Sequence, residues 1–399
     1  MNPSSKFAGG VLLVSGTTIG AGMLALPVCT GMAGFWPSLF LLFVYWGYMT
    51  FTAFLMLEVN LWMKPHTNLI SMARHTLGPW GEALSWLVYL FLLYSLTTAY
   101  IAGSGPIVID VIQGLTGWEM PHWLSTLPLL LIFGFFVCKG TQSVDYVNRL
   151  LMAALAIAYA AIAVFLTPHV EAKLLSHVDL KCLNIAVSIV AVSFGFHIII
   201  PSLTSYLDRD TALLKKVILV GSLIPLAVYV LWEFLTLGII PLEGPLGIQE
   251  GYANGANGAH LLTDILGHSF LALMLRFFAF FAIVTSFLGV SLSLSDFLAD
   301  GLKIQKTPKG KALLYALTFL PPLLFTFADP RAFLSALDYA GAFGVVILLG
   351  LLPAAMVWQG RYRMHLKAPF KVPGGKPALL AAMLVSVLVI VIEIINKLG

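Results

Sequence analysis

Apolar residues run along this chain in long, nearly unbroken blocks separated by short polar stretches. They show neither the period-two alternation of a half-buried strand nor the one-sided stripe of a soluble helix. Eleven blocks reach or approach the roughly 20 residues that carry an α-helix across a bilayer: near 7–31, 34–62, 83–113, 123–138, 147–167, 183–205, 214–238, 268–299, 312–327, 332–358 and 377–396. They are too long and too evenly apolar for the strands of an outer-membrane barrel. Because they use nearly the whole chain, the expectation is one all-α transmembrane domain over 1–399 with eleven transmembrane helices and no soluble enzymatic domain.

Two of the blocks are interrupted in the same way. The first reads Gly16-Thr17-Thr18-Ile19-Gly20-Ala21-Gly22-Met23-Leu24-Ala25-Leu26-Pro27, and the sixth reads Ser193-Phe194-Gly195-Phe196-His197-Ile198-Ile199-Ile200-Pro201-Ser202. Glycine lowers the cost of leaving helical geometry, and proline removes a backbone donor and frees a carbonyl. Within a bilayer such groups survive only when buried in protein or lining a cavity. Gly16 and Gly20 also form a G-x-x-x-G pair, which alone would indicate close helix packing. Matched breaks in two helices instead point to a binding site at the midplane of an inverted-repeat transporter. The spacing gives two halves of five helices, about 7–167 and 183–358, with an eleventh helix at about 377–396 appended. Five is odd, so the second half must start from the opposite side of the membrane.

Composition agrees: 59% of residues are apolar, 10% are charged, and the mean hydropathy is +0.95. A soluble domain carries about 25% charge. The net charge of +4 would suggest nucleic-acid binding only if the basic residues shared a solvated face, and they do not. Lys6, Lys64, Arg74, Lys139, Arg149, Arg209, Lys215 and Lys216 fall in connections on one side, as do the lysines of 303–311 and the basic residues of 361–376. Only Lys173, Lys181, Arg331 and Lys397 lie opposite. Short basic loops stay cytoplasmic, so the amino terminus is expected inside and the carboxyl terminus outside, with lipid and not nucleic acid as the macromolecular surroundings. The segment 239–267, rich in Gly and Asn and free of basic residues, reads as an external loop with one short helix and as a gate candidate. Cys29, Cys138 and Cys182 have no CxxC spacing and imply neither disulfide nor metal site. A P-loop, HExxH or GxSxG motif is absent, so no enzyme and no cofactor is expected, and no repeated filter motif suggests a channel.

The first break, Gly16 to Pro27, resembles the first-helix signature of the hydroxy and aromatic amino acid permeases. Ser193-Phe-Gly-Phe-His197 with Pro201-Ser202 resembles their sixth-helix signature, and Thr285-Ser-Phe-Leu-Gly289 their eighth. The likeness spans nearly the whole chain and is strongest to the tyrosine-specific members in bacteria. It implies the amino acid, polyamine and organocation superfamily, a leucine-transporter-like fold in the inner membrane, and proton-driven import of aromatic amino acids, L-tyrosine foremost. A sodium-coupled symporter or an exchanger of the same fold is the alternative. The chain departs from the family pattern at Ile198-Ile199-Ile200, where small residues are expected beside His197.

A zwitterionic substrate brings a carboxylate and an ammonium into a dry site. Amides around Ile19, Gly20, Ala21 and Gly22 at a half-helix amino terminus suit the carboxylate. Carbonyls of Thr17, Thr18, Ser193 and Phe194 suit the ammonium, with Gly195 giving the second break its freedom. Phe194, Phe196, Tyr94, Thr98 and Tyr339 are candidates for the walls around an aromatic side chain, with His197 placed to hydrogen-bond a phenol. Ionisable groups within a membrane are functional candidates by default. His197, Glu233 and Asp338 are therefore candidate proton carriers, with Glu233 and Arg276 expected to form a buried ion pair. Glu58, Asp296 and Asp300, near inner helix ends, read as snorkelling or capping residues. In this fold Thr285 and Ser286 could instead ligate sodium through oxygen.

Overall fold

The computed structural model describes residues 3–65, 67–118, 120–267 and 270–398. In chain order the helices are α1 (Pro3–Thr18), α2 (Gly22–Thr30), α3 (Phe35–Trp62), α4 (Leu69–Thr116), α5 (His122–Ser125), α6 (Leu127–Lys139), α7 (Thr141–Leu166), α8 (Leu183–Ser193), α9 (Ile200–Tyr206), α10 (Thr211–Leu237), α11 (Ile248–Ala253), α12 (Gly258–Leu266), α13 (Phe270–Gly301), α14 (Pro308–Ala328), α15 (Ala332–Tyr339), α16 (Leu352–Tyr362) and α17 (Gly375–Leu398). Among the described residues, nine helical stretches are long and apolar enough to cross a membrane. A tenth is made by α1 and α2 together, bent by 54° at their break. Trp123–Lys139 is a shorter apolar helix. The chain is an all-α, multi-spanning membrane protein.

The helix boundaries follow local chemistry. Asn68 caps α4 by accepting from the Ser71 amide at 2.8 Å, and Asp210 caps α10 through the amides of Ala212 and Leu213, each satisfying donors that a helix start leaves free. Within α4, Gly78 has a φ of +74° just before Pro79, so residues 69–77 form a separate short helix ahead of the long span. Gly140, with a φ of +101°, is the single residue between α6 and α7.

The centre of the molecule is packed by large side chains such as Trp232, Tyr229, Phe194, Phe278 and Phe287, all fully buried. There α13 packs on α4 and α7, α1 packs on α10, and α8 packs on the stretch that follows α15. That stretch, Ala340–Leu351, is a π-helix within the tenth hydrophobic block, a feature the hydropathy pattern does not signal. A Cβ on Gly341 would collide with the Ser188 carbonyl oxygen, so glycine lets the π-helix and α8 meet backbone to backbone.

Two expectations about the periphery need correction. Glu58 neither snorkels nor caps. It pairs with Arg361 through Nε at 2.7 Å and Nη2 at 2.5 Å, accepts the Val372 amide at 2.7 Å, and is buried together with the arginine. The pairing joins α3 to the end of α16 and to the segment that leads into α17. The 239–267 segment holds two short helices, α11 and α12, the second capped by Asn257. The Gly and Asn residues that mark this segment as a loop are the turn and cap between them.

Candidate functional site

Both sequence breaks are breaks in the structure. The Ile19 amide closes α1 on the Ser15 carbonyl, and α2 opens with Met23 and Leu24 donating to the carbonyls of Gly20 and Ala21. Between them the Ala21 amide donates to Ser286 Oγ at 3.0 Å. A Cβ on Gly20 would stand 2.5 Å from the same oxygen, so α13 sits where only a glycine admits it. The second break follows Ser193: Phe194 and Phe196 leave helical geometry, and a single 3-10 turn, His197–Ile199, leads into α9. The two breaks face each other, since a Cβ on Gly22 would meet Ser193 Oγ at 3.4 Å.

Tyr229 of α10 joins them. Its hydroxyl lies 2.7 Å from the Thr18 carbonyl and 2.8 Å from the Ser193 carbonyl, the last carbonyls of the two helices before each break. Phe194 packs edge-on against the Tyr229 ring at 5.3 Å. The side-chain hydroxyls of Thr17, Thr18 and Ser193 all donate back to carbonyls four residues earlier, which satisfies the donors of the buried Thr18 and Ser193. The polarity free for a ligand is therefore mainly backbone.

A cavity of about 310 Å³ opens between the breaks, within the range of about 300–1,000 Å³ of small-molecule sites. Its polar side is formed by Gly16 to Gly20, Gly22, Ser193 and Gly195, with Thr285 and Ser286 from α13. Its other walls come from Tyr89, Leu92, Leu93, Leu96 and Tyr100 of α4, Asn148 and Met152 of α7, and Leu337, Val345 and Leu349 of the tenth block. A second cavity, about 490 Å³ and lined in part by Asn68, Leu69, Pro201 and Ser205, shares Tyr89 and Ile198 with the first. Ile198 thus stands between the two spaces, Ile199 also lines the first cavity, and Ile200 is buried in α9, so two of the three isoleucines contribute to the cavity wall.

Several residues singled out in the sequence stand elsewhere. Ala21 is buried, and only its amide takes part. Phe194 and Phe196 are buried behind the breaks, Phe196 beside the His197 ring. His197 is fully buried and pairs with Thr52 Oγ1 of α3 at 2.9 Å, away from the cavity lining. The Tyr94 hydroxyl donates to the Leu317 carbonyl, and Thr98 donates to the Tyr94 carbonyl. Tyr339 lies at the periphery under the Lys397 ammonium. Asp338 lies 3.8 Å from Lys397, which makes α17 its neighbour and not the cavity.

The expected Glu233–Arg276 pair does not form. Arg276 Nε lies 3.6 Å from Asp110, whose carboxylate also faces His260 at 3.7 Å, while Glu233 contacts Thr30. Glu233 on α10 and Arg276 on α13 each find a partner on another helix, Thr30 of α2 and Asp110 of α4.

The cavity-lining residues that were not sequence candidates include Tyr89, Leu96, Tyr100, Asn148 and Met152; Ile198 enters the sequence reading only as a departure from the family pattern. On α4 the lining positions 89, 92, 93, 96 and 100 make one helical face, whereas Tyr94 and Thr98 lie on the opposite one. The spacing was available, but α4 is apolar or aromatic on both faces, so nothing in it marked the inward side.

The profile of the tryptophan/tyrosine permease family matches residues 3–393. The chain belongs to that family. This permease is 36% identical to the tyrosine-specific transport system 1 of Haemophilus influenzae, in an alignment covering 99% of this chain and 98% of that protein. It is 31% identical to the tryptophan-specific transport protein of the same organism, over 99% and 97% of the two chains. It is also 28% identical to glutamine transporter 2 of Aliivibrio fischeri, over 98% and 99%. The permease is thus matched from end to end by proteins named as transporters of amino acids, and the two breaks fall within the matched region.

Proposed function

We propose that this permease imports aromatic amino acids, L-tyrosine foremost, by proton symport across the bacterial inner membrane. The observation that carries the reading is the cavity itself: backbone polarity from two broken helices on one side and the aromatic and aliphatic face of α4 on the other. In this reading the amides of Gly20 and Gly22, at the positive end of the α2 dipole, take the substrate carboxylate. Carbonyls around Thr17, Thr18 and Ser193 take the ammonium; each carbonyl has a second lone pair beyond the one facing Tyr229. The side chain lies toward Tyr89, Leu96 and Tyr100, with the Asn148 carboxamide available to a phenol.

The same reading takes the fold as leucine-transporter-like, with repeats of about 7–167 and 183–358 and an appended helix at 377–396. Eleven spans result if α6 crosses as well. Support comes from the correspondence of the halves: the first block of each is broken, and the third block of each, α4 and α13, is long and packs on the cavity. The amino terminus is cytoplasmic and the carboxyl terminus periplasmic, by the distribution of basic residues. The cavity shared through Tyr89 and Ile198 then opens toward the cytoplasm.

Protons are taken over sodium on the resemblance to the aromatic amino acid permeases; the α13 hydroxyls have protein partners, though each keeps a lone pair. Thr285 Oγ1 donates to the Phe281 carbonyl at 2.7 Å, and Ser286 Oγ holds the Ala21 amide. One proton entering across 100 mV supplies about 2.3 kcal/mol, enough for roughly 40-fold accumulation. In proteoliposomes free of sodium, an imposed pH gradient should drive labelled tyrosine uptake that a protonophore abolishes, with tyrosine competing better than phenylalanine and Asn148→Leu narrowing that difference. Strict dependence on external sodium would reject the coupling, and equal competition by unrelated amino acids would reject the substrate.

A further inference from the structure

Thr30 ends α2, the outer half of the first broken helix. Its Oγ1 lies 2.8 Å from the Leu26 carbonyl and 3.0 and 2.9 Å from the two carboxyl oxygens of Glu233 on α10. A threonine hydroxyl has one proton and two lone pairs, and a backbone carbonyl can only accept. If Thr30 donates to Leu26, the contact with Glu233 needs a proton on the carboxyl group, which then donates to the threonine oxygen.

The surroundings require the same thing. Glu233 is fully buried, and among the described residues no Lys, Arg or His nitrogen lies within 4.0 Å of its carboxyl group. An ionised carboxylate there would have no counter-charge. The titratable neighbours are Cys29 on α2 and Tyr229 on α10 itself. Charged groups on the other elements packed against α10 are engaged elsewhere: Lys6 of α1 with Asp208, Glu58 of α3 with Arg361, Asp145 of α7 with Arg149, and His260 and Asp264 of α12 with each other and with Asp110.

Glu233 also lies one turn from Tyr229 on the same face of α10. The Tyr229 hydroxyl lies between the carbonyls just before both breaks and shares its one proton between them, and Glu233 holds the helix just after the first one. We propose that Glu233 carries the coupled proton, its protonated carboxyl clasping Thr30 to hold the outer half of the first broken helix against α10. When the proton passes to water the carboxyl becomes a carboxylate, and the single Thr30 proton can serve either it or Leu26 but not both. The outer grip loosens while the Tyr229 grip stays. This assignment rests on the proton-symport reading above and names the residue that carries it out.

The test uses the full chain in proteoliposomes with a trapped pH dye and labelled tyrosine. In the natural protein, tyrosine entry should acidify the interior. Glu233→Gln keeps a donor for Thr30 but cannot titrate. It should lose tyrosine-evoked acidification and gradient-driven accumulation while tyrosine counterflow continues. Acidification that persists in Glu233→Gln overturns the assignment and leaves proton symport standing; no acidification in the natural protein removes proton symport itself. Should Glu233→Gln fail to insert, Thr30→Val gives an independent reading. Loss of the hydroxyl removes a partner of the protonated carboxyl and should move the pH midpoint of uptake to lower values; an unchanged or raised midpoint overturns the clasp.

Discussion

Gly20 and Ser286 occupy one contact: the Ser286 hydroxyl oxygen sits 2.5 Å from where a Gly20 side chain would begin, while it accepts the neighbouring Ala21 amide. The first break is therefore held open from α13, and its shape depends on an absent methyl group as much as on a hydrogen bond.

Gly20→Ala should therefore abolish tyrosine uptake, with overpacking costing about 1–3 kcal/mol of stability. Adding Ser286→Ala removes the clashing oxygen and leaves the Ser286 Cβ at 3.7 Å. The double variant should recover stability relative to Gly20→Ala, although the Ala21 amide is then unpaired. Thermal unfolding of the four proteins checks this; simple additivity would show that the contact is not shared.

Tyr229→Phe removes the one proton that two buried carbonyls share. The expected loss is about 1–3 kcal/mol, with weaker tyrosine binding because both breaks lose their common support. Binding by calorimetry and unfolding in detergent should change together. A variant with unchanged affinity would show that the carbonyls find another donor.

The first and sixth blocks announce their own breaks, because Gly20, Gly22, Gly195, Pro27 and Pro201 act on the backbone locally, whatever surrounds them. What packs behind a break is a tertiary matter, and there the sequence is silent. Tyr94 and Tyr100 are equally plausible wall residues until the rotation of α4 is known. Glu233 and Arg276 each find a partner on another helix. His197 sits in a broken helix yet turns to Thr52, because only a non-helical stretch lets neighbouring side chains leave the regular helical array. The π-helix at 340–351 left no trace in a uniformly apolar run.

Where α3 meets the end of α16, Arg361→Met should destabilise the protein by about 3–5 kcal/mol, since Glu58 then stays buried without its cation. Replacing both partners, with Glu58→Leu added, should cost less than the single change. Unfolding temperatures of the two variants decide the order.

The Lys6 ammonium beside Asp208 holds that carboxyl below the usual aspartate range, first by hydrogen bonding and then by charge. The contribution of this exposed pair is fully present above about pH 3.9, the ordinary aspartate value, and is lost as pH falls through the lower folded value. Protection of the amides in the first two turns of α1, measured against their intrinsic exchange rates at each pH, should therefore fall in acid, and less so in high salt, where the pair is already screened. Exchange that is indifferent to salt at neutral pH would show that the pair does not tether α1.

Gly140 is all that separates α6 from α7. A single glycine is free to bend, but α6 and α7 also pack on each other, so a displacement of α7 beside Asn148 and Met152 in the cavity wall reaches α6 through side-chain contact. One face of α6 presents Leu131, Ile132 and Phe135 to the surroundings. Whatever presses on that apolar face would then have a packed route to the wall of the cavity.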